Sequence, residues 1–450
     1  MHCPFDALLK SIAHHGDLVR RRFGYVIESH SYKRRESVKG HVEALTRHIC
    51  AQAPSGDPVE DGLRELISEG HLTRYGQLME YVHHHPRIER TIGMFHKYGR
   101  QLPNNRREEL SVLEGMFVPL NVLDWIMERA VHQYEFWLRV SDFPINASVW
   151  SSHPMDRPQT ADLLNMIAMA IRVVTTCYSV PPPPTDERMA LYIFLTPFGK
   201  RLDGGNRDDQ FHRVLKSKFE SMPEAPAVIA AGYNTSKISR TISIDNVNSA
   251  LYYSGQRKYI TIWRREELAK VLIHELMHHF QLEKVQIDNL VEAFRLNCSK
   301  TVFCSFSNEF VTEVQTWYLY LVYRQAVTPR NAPGLELVVR SEQEHCLKKI
   351  SQILAYNGLT SLSQFWNNAN PRYTINCNCS VVYYYILKGL FVQDIDETVL
   401  GLMLPRASPS DRNSIYRHIS RMSRKYASAI KRGIRLWDGN GDARFTMMGT

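Results

Sequence analysis

The run Lys270-Val271-Leu272-Ile273-His274-Glu275-Leu276-Met277-His278-His279-Phe280 constrains this chain more than any other stretch. Leu268, Val271, Leu272, Leu276 and Phe280 recur at three- and four-residue intervals, which predicts a helix with one buried side. Charged and polar groups on so apolar a helix cost free energy unless they are partnered, so the histidines and Glu275 need a reason to be there. Residues four apart share a helical face, so both imidazoles of this H-E-x-x-H pattern can address one point. Two neutral imidazoles suit one Zn²⁺ ion and leave room for a third protein ligand and a water. Glu275 lies about 100° round the helix from His274, off the ligand face, where it can take a proton from such a water. A helix with surface histidines is the competing reading, and the apolar flanks weigh against it.

A third ligand is sought downstream, where Asn308-Glu309-Phe310-Val311-Thr312-Glu313 sets two acids four residues apart, on one helical face. Gln281 and Lys284 exclude the metzincin extension, which demands Gly and His at those positions. The Asn-Glu pair with an acid four residues later resembles the gluzincin arrangement. That resemblance implies Glu309 as the third ligand and Glu313 as the acid that steadies a ligating histidine. The reverse assignment stays open, as does an ordinary surface pair of acids. Peptide hydrolysis also needs a donor for the developing oxyanion. Tyr384 and Tyr385 are preferred over Tyr383, Tyr318, Tyr320 and His345, against the reading that all are core residues with satisfied polar groups.

Around this centre the chain divides by period. The first 180 residues read as mostly helical, through Leu110, Val112, Leu113, Met116 and Phe117, then Leu123, Trp125, Ile126, Val131 and Trp137, then Leu163 to Val174. Pro181-Pro182-Pro183-Pro184 cannot continue a helix and marks a domain junction. Strands are expected at residues 191–196, 241–244 and 259–263, with an edge strand within 247–252. Helix returns at 266–281 and dominates from 308 to 434. The expected fold is α+β and predominantly helical: a helical N-terminal domain (1–184), a zincin-like core of a small mixed sheet and the H-E-x-x-H helix (185–305), and a helical C-terminal subdomain (306–450).

Composition narrows the function classes. Eight cysteines in 450 residues are too sparse for a disulfide framework, and neither Cys377/Cys379 nor Cys298/Cys304 has zinc-ribbon spacing. The N-terminal residues Met1 to Asp6 carry no signal-peptide pattern, and no stretch is expected to span a bilayer, so a soluble, intracellular protein is expected. The net charge of +9 culminates in Arg417, Arg421, Arg424, Lys425, Lys431, Arg432 and Arg435, read as a solvated basic face in preference to a nucleic-acid surface. Asp438 to Asp442 begins like an EF-hand loop but lacks its Gly and its bidentate Glu. His83-His84-His85 reads as an exposed helix end.

A longer arrangement spans residues 190–392: Tyr192-Ile193-Phe194-Leu195-Thr196-Pro197, Val247-Asn248-Ser249-Ala250, Ile262-Trp263-Arg264-Arg265-Glu266-Glu267 before the histidine helix, then Thr312-Glu313 and Tyr384-Tyr385-Ile386-Leu387-Lys388. This order resembles the zinc metallopeptidases encoded by large DNA viruses. The resemblance implies one zinc ion, a protein or peptide substrate, and a place in the host cytoplasm or the virion. The reaction expected is peptide-bond hydrolysis with Glu275 as general base. The rival expectation is a structural or virion-associated protein that keeps the fold without turnover.

Overall fold

The computed structural model describes residues 3–34, 118–183, 188–202, 242, 244–254, 258–283, 308–328, 334–366, 373, 375, 377, 380–405, 407–408, 410–439 and 444. Six strands among these form one mixed sheet: β1 (Tyr25–Arg34), β2 (His132–Val140), β3 (Phe143–Ser151), β4 (Met189–Phe194), β5 (Ala250–Tyr253) and β6 (Tyr259–Ile262), in the order β1-β2-β3-β4-β6-β5. The first three pair antiparallel, β3-β4-β6 run parallel, and β5 closes that end antiparallel to β6. Alternation makes the sheet. Phe136, Leu138 and Val140 of β2 and Ile145, Ala147 and Val149 of β3 are buried at every second position, with Leu138 opposite Ile145.

The helices are α1 (Pro4–Arg21), α2 (Leu120–Arg129), α3 (Arg157–Cys177), the single turn α4 (Ile244–Val247), α5 (Leu268–His279), α6 (Asn308–Val327), α7 (Leu335–Tyr356), α8 (Leu362–Phe365), α9 (Lys388–Phe391), α10 (Glu397–Met403) and α11 (Arg412–Arg435). A π-helical turn, Val382–Leu387, leads directly into α9. Helix α3 starts at a capping box, with Asp156 accepting from the Gln159 amide and the Gln159 side chain accepting from the Asp156 amide. Helix α5 packs on β5 and β6 on one side and on α3 and α6 on the others. Helix α6 is buried almost all round, with α1, α3, α5 and α10 surrounding it. Helix α11 buries Ile415, Ile419, Met422 and Ile430 and exposes the basic run, where Arg421 pairs with Asp396 and Lys425 with Asp394.

The helical reading of the first 180 residues needs correction. Trp137 lies in β2, and three of the six strands precede residue 152. The helix through Leu123 and Ile126 stops at Arg129, and the tight turn at Ser141 (φ 56°) folds β2 onto β3 as a hairpin. Strand β4, after the proline run, pairs with β3 before it, and one hydrophobic cluster extends from Leu8 to Ile430. Of the strand expected at 241–244, Ile244 instead opens the helical turn α4, Ile242 makes an isolated bridge to Cys377, and residues 241 and 243 lie outside the described residues. The edge strand, expected within 247–252, is β5.

Helix α3 has the length and apolar content to cross a bilayer, which the sequence reading did not expect of any segment. Its apolar residues are largely buried against α1, α5 and α6, the position of a core helix. Cys177, Cys346 and Cys377 are buried free thiols. The expectations for residues 110–117, His83 to His85, Cys298, Cys304, Cys379, Lys284 and 440–442 lie outside the described residues.

Candidate metal centre

Helix α5 begins just after β6 and ends beside β5, which holds its histidine face against α6. On that face His274 and His278 stand one turn apart, with Nε2 to Nε2 at 3.1 Å. Glu309, in the first turn of α6, divides its two oxygens between them. Oε2 lies 3.4 Å from His274 Nε2 and Oε1 3.8 Å from His278 Nε2. Among the described residues, these three are the group whose donor atoms converge as metal ligands do, all within 4.8 Å of one another. Ligand atoms about 2.0–2.1 Å from a tetrahedral zinc ion stand about 3.3 Å apart. The donor set and its spacing therefore fit that ion.

The other imidazole nitrogens point away from this centre. His274 Nδ1 lies 2.9 Å from Glu313 Oε1, and His278 Nδ1 lies 2.6 Å from Glu283 Oε1. An Nδ1–H donated to a carboxylate fixes the ring and its tautomer and leaves the Nε2 lone pair for a cation. Glu313 is also held by Lys270, whose Nζ sits 2.6 and 2.7 Å from its two oxygens, with both side chains 1% exposed.

Three carboxylates on two imidazoles demand positive charge. They favour the charged form of both imidazoles. Burial pushes both histidines down, but Glu309 and Glu313 reverse this at His274, and Glu283 and Glu309 do so more strongly at His278. Burial likewise pushes Glu309 up, and the contacts with His274 and His278 more than reverse it, leaving the carboxyl far below its ordinary range. Glu313 shifts down in the same way, its burial outweighed by Lys270 and His274. A metal ion at the Nε2 atoms would displace the histidine protons.

Glu275 is buried beside the pair, off their face as the helical period requires. Burial holds its carboxyl above the usual range, partly offset by His274 and His278. The half-buried Tyr384 presents its ring edge-on to His274, centroid to centroid 6.0 Å, from the π-helical turn. Such turns occur frequently at functional sites. Tyr385 is buried in the core. The other candidates are engaged elsewhere. The Tyr318 hydroxyl bonds His15 and Ser11 of α1, Tyr320 stacks on Tyr323, and His345 meets the Arg444 carbonyl. His279 packs edge-on against Tyr252 of β5, 5.5 Å away, and is not in the ligand set.

No family model, curated protein or solved structure matches the chain.

Two members of the site escaped sequence reasoning. Lys270 stands four residues before His274, so the same periodicity that joins the histidines places it on their face; a charge there was the available signal. Glu283 follows the helix end and reaches back because Gln281 adopts φ 53°, while the Gln281 and Leu282 amides donate to the His278 and Met277 carbonyls. Nothing in the residue types announces that turn, since Gln is not a usual left-handed residue.

Proposed function

We propose that this chain is a single-zinc metallopeptidase of gluzincin type, with His274, His278 and Glu309 as ligands. One observation carries the reading: two Nε2 atoms and a carboxylate face a common point, while a carboxylate backs each imidazole from behind. The finer fold reading belongs with it. A parallel β3-β4-β6 sheet edged by antiparallel β5, with the histidine helix beneath and the third ligand on the next described helix, suits a zincin-like core. Strand β5 ends the described sheet beside α5, where an extended peptide could add as a further strand.

Zinc, when bound, supplies Lewis-acid polarisation of the scissile carbonyl and an acidified water. Glu275 takes the proton of the attacking water and passes it to the leaving amine, a role its burial and raised pKa favour. The Tyr384 hydroxyl donates to the oxygen on which negative charge develops. Glu313 and Glu283 hold the rings in register throughout.

The test joins metal analysis to turnover. Elemental analysis of the purified protein should find one zinc per chain, and a broad peptide library should be cleaved. Glu275→Gln should keep the zinc and lose hydrolysis by about 10²–10⁴-fold, the share general-base catalysis supplies. Protein with no zinc removes the reading. Full zinc with no cleavage of any peptide leaves a metal-bearing structural protein, and equal cleavage by both forms removes Glu275 as the base.

A further inference from the structure

Lys270, His274 and His278 follow one another at four-residue intervals on α5 and face Glu313 and Glu309 on α6. Contacts run from 270 to 313, from 274 to 313 and 309, and from 278 to 309, so the two helices meet antiparallel as a ladder. At the closed end of that ladder, one ammonium occupies both oxygens of one carboxylate. We propose that Lys270 is a positioning residue of the metal centre: it pins Glu313 so that this acid orients His274 and stays out of the ligand set, leaving Glu309 as the anionic ligand. The inference rests on the zinc reading of His274, His278 and Glu309.

The geometry supports this in three ways. Glu313 meets His274 at Nδ1, not at the Nε2 that faces the centre, and the same Oε1 is already in contact with Lys270. Its other oxygen also points to the lysine, so neither is turned toward the metal. At 1% exposure on both side chains, water cannot take the place of the ammonium. Lys270 and Glu313 together are neutral, so the pair orients a ligand without adding net charge beside the ion. A merely structural ion pair would bind α5 to α6 equally well, but it would leave metal affinity untouched.

The experiment is a double-mutant cycle on the full chain, read by zinc affinity in chelator competition and by the visible spectrum of the cobalt-substituted protein. Lys270→Met keeps the length of the side chain, and Lys388, which also acts on Glu313, leaves one cation near that acid. Lys270→Met and Glu313→Gln should each weaken zinc by about 10–100-fold, as loss of outer-sphere support does. Both should alter the cobalt spectrum. The double variant, which removes the ammonium and its carboxylate together, should bind zinc as Glu313→Gln does, because the lysine acts only through that acid. If Lys270→Met alone does not fold, the comparison of Glu313→Gln with the double variant still decides. Zinc affinity at the wild-type level in folded Lys270→Met overturns the proposal, as does a further tenfold loss in the double variant. Wild-type protein that takes up no zinc fails at the earlier step and overturns the ligand assignment itself.

Discussion

His278 Nδ1 stands 2.6 Å from Glu283 Oε1 across the turn that ends α5. The left-handed Gln281 reverses the chain so that a residue five positions on reaches the ring. Each histidine of the centre thus has its own carboxylate, from α6 for His274 and from the helix end for His278. Glu283→Gln should lower zinc affinity by about 10–100-fold without unfolding the protein. Chelator titration decides it, and unchanged affinity would show that the turn serves packing alone.

Glu309 and Glu313 differ in what they face. Glu309→Gln removes a ligand and should lower zinc affinity beyond the range in which chelators compete. Glu313→Gln removes an orienting group and should cost about 10–100-fold. The opposite order in the same titration would make Glu313 the ligand.

Tyr384→Phe keeps the ring against His274 and removes the hydroxyl. Turnover should fall by about 10²–10³-fold, as loss of one oxyanion donor does, with zinc content and KM little changed. A variant with wild-type turnover would return Tyr384 to the core residues.

Away from the centre, Asp396 gives a pH signature. Its carboxylate caps α10 through the Val399 amide and meets His418 and Arg421. Burial pushes its pKa up, but the contacts with His418 and Val399 more than reverse this, bringing it from 3.8 to about 2. A folded-state pKa below the unfolded one gives stability that is present above pH 3.8 and lost as pH falls toward 2. Allowing for its partial exposure, the contribution is about 1–2 kcal/mol. Thermal melts between pH 6 and 2 should show wild type losing this margin over Asp396→Asn. A difference independent of pH would place the effect in packing.

What the sequence disclosed follows the helical period. His274, His278, Glu309 and Glu313 were legible because four-residue spacing converts directly into a shared face, and Glu275 because the same period sets it off that face. Strands β2 and β3 were missed for a physical reason. Trp137 interrupts the polar positions of β2 with aromatic surface, so its alternation blends into the apolar spacing of α2. Glu283 and the Lys270–Glu313 contact depend on a backbone turn and on helix packing, and neither has a period to read.

Helix α1 lies against α6, where the Arg20 guanidinium reaches the carbonyls of Gln325 and Ala326, 305 and 306 residues later in sequence. The helix that carries Glu309 is thus seated by the first helix of the described chain. Closing so long a loop is slow, and its contacts reward the chain only when both ends are present. A ribosome releasing this protein emits the two histidines well before their support is complete. On the zinc reading proposed above, the ligand set stays incomplete until synthesis has passed Glu309, and the acid that orients His274 follows one helical turn later, at Glu313.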